Sequence, residues 1–412
     1  MKTLISKLII RTINNIGRIF RSIGIRIGDA NSETIVKKAM HNSGISTIID
    51  DSFLKPLDVL VRSANQQPRF KLMGRFIFQA NLVNRVSNRL LIDSTFANFP
   101  EILEQPINRP IFITGMPRTG TTLVHRLIAQ DPKLRSTQYW EMQYPCPPPE
   151  KETYATDPRI KKSEQEVEML NKLCPEFKSI HEFGACMPDE CIFLFENDLM
   201  SDSLGLVYDL PEYSKWLIEQ PMKPFYERHK KQLQLLQFKN PGERWILKSR
   251  NHLYSLNPLM QVYPDAFIIQ IHRDPLETIA SAISLSMASL LLLHDKVDPE
   301  KIGLEILEWI GLSIDQAMIE RTKAESNPDS KVKFIDIYYK DLVTNPLGQI
   351  RLIYDFCDLE WSETVEQKMN TFLSENRQHK HGIHNYTLEQ FKLTEGQILE
   401  RFATYNKRFF KQ

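Results

Sequence analysis

The stretch Pro110-Ile-Phe-Ile-Thr-Gly115-Met-Pro-Arg-Thr-Gly120-Thr121-Thr122 decides the reading of the fold. Its first half is an apolar run bounded by proline and glycine, as a buried strand requires. Its second half has the frame G-x-x-x-x-G-T-T, and a helical pattern follows from about Thr121 to Gln130. Strand, glycine-bracketed turn and helix together make a phosphate loop. Gly115 and Gly120 let the backbone turn sharply, so that several N–H groups converge on one anion. The following helix adds its positive end. Pro117, Arg118, Thr119, Thr121 and Thr122 complete the candidate cradle. In a nucleoside-triphosphate loop a lysine precedes the Ser/Thr; here Thr121 occupies that place, and the cation is Arg118, inside the loop. The expected ligand is a phosphate held without the lysine-and-magnesium grip on a γ-phosphate.

Working outward, further apolar strands are expected at 245–248, 266–272 and 332–338, the last two followed by helices from Pro275 and about Pro346. Asp274 is a natural N-cap for the first of these. Strands that are near-continuous apolar runs, alternating with helices, predict an α/β fold: a P-loop-type parallel sheet flanked by helices. Residues 34–104 read as short helices and 160–237 as charged helices, with a proline cluster at 145–149. The expected organisation is a basic amphipathic helix at 1–28 and a helical N-terminal region at 29–105. A main domain at 106–412 follows, with a helical insertion at about 150–240. The last thirty residues are expected to pack back onto it.

A second constellation follows one strand–helix unit later: Gln270-Ile-His272-Arg273-Asp274-Pro275, then Ser281. Arg273 ends a strand, where ligands bind in open α/β sheets. Ser281 lies about two turns into the next helix, so the pair can hold a further phosphate. His272-Arg273-Asp274 also mimics a kinase catalytic loop, but that pattern needs Asn five residues after the Asp, where Ile279 stands.

Composition excludes other classes. Apolar residues at 42% and charged residues at 25% describe a globular chain with a core. With 52 basic against 51 acidic residues there is no basic excess for nucleic acid. Five cysteines without a C-x-x-C argue against a disulfide scaffold and for a reducing compartment. A cytoplasmic location is therefore expected. Residues 1–28 carry six cations and no acid beside a stripe of Ile5, Ile9, Ile13, Ile16, Phe20, Ile23 and Ile27. Charges interrupt the stripe too often for a transmembrane span. It reads as a helix docked on its own domain, as a helix lying on an anionic membrane surface, or as a transit peptide.

Together the loop and the Arg273…Ser281 pair resemble those of the sulfotransferases that use 3′-phosphoadenosine 5′-phosphosulfate (PAPS). Further similarity to the bacterial-type branch lies in Phe112–Pro132, Trp140-Glu141, Pro188-Asp-Glu190, Leu247-Lys-Ser249 with His252, and Gly382–Glu389. The resemblance implies that Gly115–Thr122 binds the 5′-phosphosulfate, that Arg273 and Ser281 bind the 3′-phosphate, and that Lys380 lies over the same phosphate. Arg118 stands where animal cytosolic members have lysine, and Arg250 interrupts a stretch that often reads Lys-Ser-Pro.

Sulfuryl transfer needs cations where charge develops and a base for the acceptor proton. Arg118 and Lys248 are the cation candidates. Glu141 leads for the base, His252 follows, and His181 is a looser third. No metal is expected: His379, His381 and His384 have no nearby Cys or acid to complete a four-ligand set. The acceptor is a small or lipid-like molecule with a hydroxyl or amine. Aromatic residues of the insertion, among them Phe193, Phe195, Tyr208 and Tyr213, could line its pocket, although helix core accounts for most of them. The competing readings are a P-loop kinase or hydrolase and a non-catalytic nucleotide-binding protein peripheral to a membrane.

Overall fold

The computed structural model describes residues 2–173, 183–376 and 386–410. Five parallel strands form one sheet in the order β2-β3-β1-β4-β5: β1 Ile111–Gly115, β2 Leu134–Ser136, β3 Arg244–Lys248, β4 Phe267–His272 and β5 Lys333–Tyr338. Every residue of β1 and β4 is buried, because helices cover both faces of a parallel sheet. Side chains alternate between two cores. Phe112, Leu247 and Ile268 enter the larger one, while Ile111, Ile113, Ile246 and Ile269 meet Val124, Leu127 and Ile353 on the opposite face.

The chain runs from β1 outward to β2 on one side and later to β4 and β5 on the other. The order therefore reverses beside β1, and the crevice for ligands opens at the carboxyl ends of β1, β3 and β4. Register places Ile113 opposite both Lys248 and Ile269, which levels the three strand ends.

The strands appear within a residue or two of expectation. Asp274 caps its helix, Pro275–Leu293, by accepting from the Leu276 amide at 2.9 Å. The sequence reading omitted β2, a three-residue edge strand. It also broke the helix Leu72–Asn98, which is continuous over 27 residues. Arg85, Arg89 and Asp93 interrupt its apolar period, yet they point inward. Arg89 bonds Asp93 at 2.7 Å and Asp198 at 2.5 Å, and Arg228 bonds Asp93 at 2.8 Å. This buried ion cluster, with a core of Phe53, Leu57, Leu60, Leu204 and Tyr213, fuses the N-terminal helices to the insertion. The C-terminal residues pack back as expected. His272 of β4 stacks on Phe409 at 4.0 Å and bonds Tyr405 at 2.9 Å and Asp336 at 2.8 Å, so it is a structural histidine.

The N-terminal helix, Lys2–Ser22, docks on the chain's own helices. Gly17 lies against Leu72, where a Cβ would come within 2.6 Å of the leucine's. Asn14 accepts from the Met73 amide at 3.0 Å, and Arg21 donates to the Pro68 and Phe70 carbonyls, each at 2.5 Å.

Candidate active site

The loop after β1 has the shape its glycines predict. Gly120 has φ +94°, and a Cβ on Gly115 would lie 2.6 Å from the Ile271 carbonyl. Arg118 itself adopts a left-handed φ of +70°. The buried Thr119 hydroxyl closes the turn on the Met116 carbonyl at 2.8 Å, and the helix Thr121–Ile128 begins at once. Thr121 and Thr122 remain partly exposed at its start.

The second constellation meets this loop. Arg118 Nε donates to Ser281 Oγ at 3.1 Å, and Arg273 Nη1 donates to the Arg118 carbonyl at 2.9 Å. Arg273 is braced by Glu277 at 2.9 Å and lies 3.9 Å over the Tyr339 ring. Residues 163 apart in sequence thus share one crevice because β1 and β4 are neighbours.

Lys248 ends β3 on the other side of β1. Its side chain is only 2% exposed, and its ammonium bonds Glu190 Oε1 at 2.8 Å. The segment carrying Glu190 is tied across the strand ends: the Asp189 amide donates to the Thr137 carbonyl at 3.0 Å, and the Cys191 amide to the Lys248 carbonyl at 3.0 Å. Glu190 is therefore the carboxylate beside the candidate cation. The sequence offered Pro188-Asp-Glu190 only as part of the resemblance, with no role attached.

The two leading sequence candidates for the base are both enclosed by other side chains. Glu141 is fully buried. Arg135 grips both its oxygens, one of them at 3.2 Å, and the Gln138 amide donates to it at 3.0 Å in a capping box. These bonds tie its carboxylate to Arg135 and to the start of its own helix. His252 is fully buried too. Its ring nitrogens face the Tyr226 hydroxyl at 2.8 Å and Cys191 Sγ at 3.3 Å, and Phe112 packs edge-on against it. Burial pushes its pKa down to about 3. The same cause holds His125, on the loop helix, at about 3, so both rings are neutral near pH 7 and weak as bases. His181, Lys380, His379, His381 and His384 lie outside the described residues. Arg250 stands over Trp309 at 5.4 Å.

The arrangement is a lysine-free phosphate loop, two arginines with a serine, and a buried lysine paired with a partly buried glutamate, all at the carboxyl end of a parallel sheet. A profile of the sulfotransferase family matches residues 110–363.

The chain belongs to the sulfotransferase family.

It is 26% identical over 307 residues to omega-hydroxy-beta-dihydromenaquinone-9 sulfotransferase Stf3 of Mycobacterium bovis, spanning 71% of this chain and 75% of that protein. The fold is similar to the sulfotransferase STF9 of Mycobacterium avium, with a TM-score of 0.83 and 29% identity over 92% of this chain and 96% of that one. The sulfotransferase STF1 of Mycobacterium tuberculosis gives 0.81 and 29%, covering 92% and 100%. The protein is accordingly a PAPS-dependent sulfotransferase, and the kinase or hydrolase reading is not favoured.

Proposed function

We propose that the crevice transfers a sulfuryl group from PAPS to a hydroxyl of a lipid-like acceptor by in-line displacement. The carrying observation is the 2.8 Å Lys248–Glu190 pair at the strand end next to the phosphate loop. In this reading the loop amides, Thr121 and Thr122 hold the 5′-phosphosulfate. Glu190 takes the acceptor proton as the acceptor oxygen bonds to sulfur. The bond from sulfur to the bridging phosphate oxygen then breaks, and Lys248 and Arg118 stabilise the charge that gathers there. A lipid-like acceptor is supported by the similarity to Stf3, whose name specifies a hydroxylated menaquinone. Incubation of the chain with PAPS and n-decanol, read by mass spectrometry, should yield the alkyl sulfate and 3′-phosphoadenosine 5′-phosphate (PAP). A chain that binds PAP but sulfates neither alcohols nor amines would refute the proposal.

Arg273 and Ser281 take the 3′-phosphate in the same reading. Arg273→Ala should weaken PAP binding roughly ten- to a hundredfold, as loss of a charge-assisted contact does, and leave an analogue lacking the 3′-phosphate nearly unaffected. Calorimetry with both ligands checks this, and equal losses would make Arg273 structural.

The docked N-terminal helix supports a membrane contact as well. Its docking face is the side of Asn14, Gly17 and Arg21, while Ile16, Ile19 and Ile23 on the opposite side are 42%, 63% and 64% exposed. Arg11 and Arg18 flank this ridge, and Arg26 follows it. An apolar ridge beside cations suits an anionic bilayer surface, at ~1 kcal/mol per cation before salt screening. The chain should float with vesicles containing phosphatidylglycerol and not with pure phosphatidylcholine. Changing Ile16, Ile19 and Ile23 to Ser, which spares the docking face, should abolish flotation; equal flotation of both proteins would contradict the contact.

A further inference from the structure

A cavity of about 310 Å³ opens among the helices Asp202–Tyr208, Pro211–Ile218, Pro275–Leu293 and Pro299–Glu325. Its volume is at the lower end of the range for small-molecule sites. Lys215, Ile218 and Glu305 form an exposed rim, and the walls are apolar, with Leu210, Leu290, Ile302 and Ile306 among them. Among the buried lining residues is Asp202, 6% exposed. Its nearest cation, Arg250 Nε, is 3.7 Å away. Asn251 and the Ser203 amide approach its carboxyl without completing a hydrogen bond of normal geometry. A buried carboxyl without a satisfied hydrogen bond is costly, and such a group in the wall of an otherwise largely apolar cavity is suited to a ligand's polar group. Burial raises its pKa, and in either protonation state it can hydrogen-bond a hydroxyl.

The cavity adjoins the proposed chemistry. Its wall includes Tyr254, from the turn that directly follows Lys248, and Asp202 feels the charge of Glu190. The helix of Ser281, which bonds Arg118, supplies Ser286 and Leu290 further along.

We propose, resting on the sulfotransferase reading above, that this cavity seats the acceptor. It takes an elongated apolar alcohol whose body lies along Leu210, Leu290, Ile302 and Ile306, and Asp202 hydrogen-bonds the hydroxyl and positions it toward the Lys248–Glu190 pair. Asp202 binds the acceptor and Glu190 receives the proton, so the two carboxyls have separate roles.

The test uses the full chain, with n-butanol and n-decanol as probes, sulfation as one readout and calorimetric PAP binding as the other. Asp202→Leu should raise KM for n-decanol roughly ten- to a hundredfold, as loss of a hydrogen bond to a buried carboxyl does, while Asp202→Asn recovers much of that loss. Ile306→Trp fills the cavity and should penalise n-decanol far more than n-butanol. Ile306→Ala enlarges it and should shift preference toward longer chains. PAP affinity should stay within about twofold throughout, which also reports a folded donor site. Unchanged KM values and chain-length preference, with PAP binding and sulfation intact, would overturn the acceptor seat alone. Failure of the unaltered chain to bind PAP would overturn the underlying sulfotransferase reading, and this proposal with it.

Discussion

Glu190→Gln should slow single-turnover sulfation by roughly 10²–10⁴, the usual cost of losing a general base, while PAP affinity stays close to that of the unaltered chain. Single-turnover rates are needed because they separate the chemical step from product release. Glutamine keeps the shape and a hydrogen bond to Lys248 but accepts no proton. The informative control is Glu141→Gln. Glu141 is sealed against Arg135, whose side chain also donates to the Asn240 and Leu236 carbonyls at 3.1 and 3.0 Å. Breaking a buried pair typically costs ~3–5 kcal/mol because one charge is left uncompensated. Glu141→Gln should therefore lower the urea midpoint markedly and spare the rate per folded molecule. The reverse outcome, a stable but inactive Glu141→Gln beside an active Glu190→Gln, would return the base to Glu141.

Lys248→Met should be nearly as damaging. Lys248 is buried at the end of β3 and points its ammonium at Glu190, beside the loop expected to hold the phosphosulfate. A cation placed where charge develops acts mainly on the transition state, and removing one such donor typically costs ~10²–10³ in kcat. Methionine fills the same space without charge, and the carboxylate it leaves, Glu190, is 19% exposed and can be solvated, so folding should survive. Steady-state rates with PAPS and an alcohol acceptor provide the check: a loss in kcat with little change in the acceptor KM is expected. A defect confined to KM would show that Lys248 serves binding rather than catalysis.

The sheet and the phosphate loop were legible because both rest on local sequence. Apolar runs bounded by Pro and Gly mark β1, β3, β4 and β5, whereas β2 has only three residues and no pattern to read. The long helix Leu72–Asn98 was obscured because part of its inward face is ionic: Arg85 pairs with Glu196, and Arg89 with Asp93 and Asp198. The placement of Arg118, Arg273, Ser281 and Lys248 at the strand ends was legible because strand ends can be located from sequence, and neighbouring strands bring them together. The base candidates are a different case. Glu141 and His252 have suitable chemistry at suitable spacing, but only the fold reveals that Arg135 closes on one and that Tyr226 and Cys191 enclose the other. The cavity was equally hidden. Phe195, Tyr208 and Tyr213 belong to the core, and its walls come from helices up to about a hundred residues apart. A sequence period reports burial, but not whether the buried face meets protein or space.

The donor is the central claim, and a calorimetric titration tests it most directly. The unaltered chain, titrated with PAP and separately with ATP in the presence and absence of Mg²⁺, should bind PAP without metal and far more tightly than ATP. The loop lacks the lysine for a γ-phosphate, and Arg273 and Ser281, proposed to take the 3′-phosphate, both bond Arg118 of that loop. Tight, Mg²⁺-dependent binding of ATP with none of PAP would contradict the account.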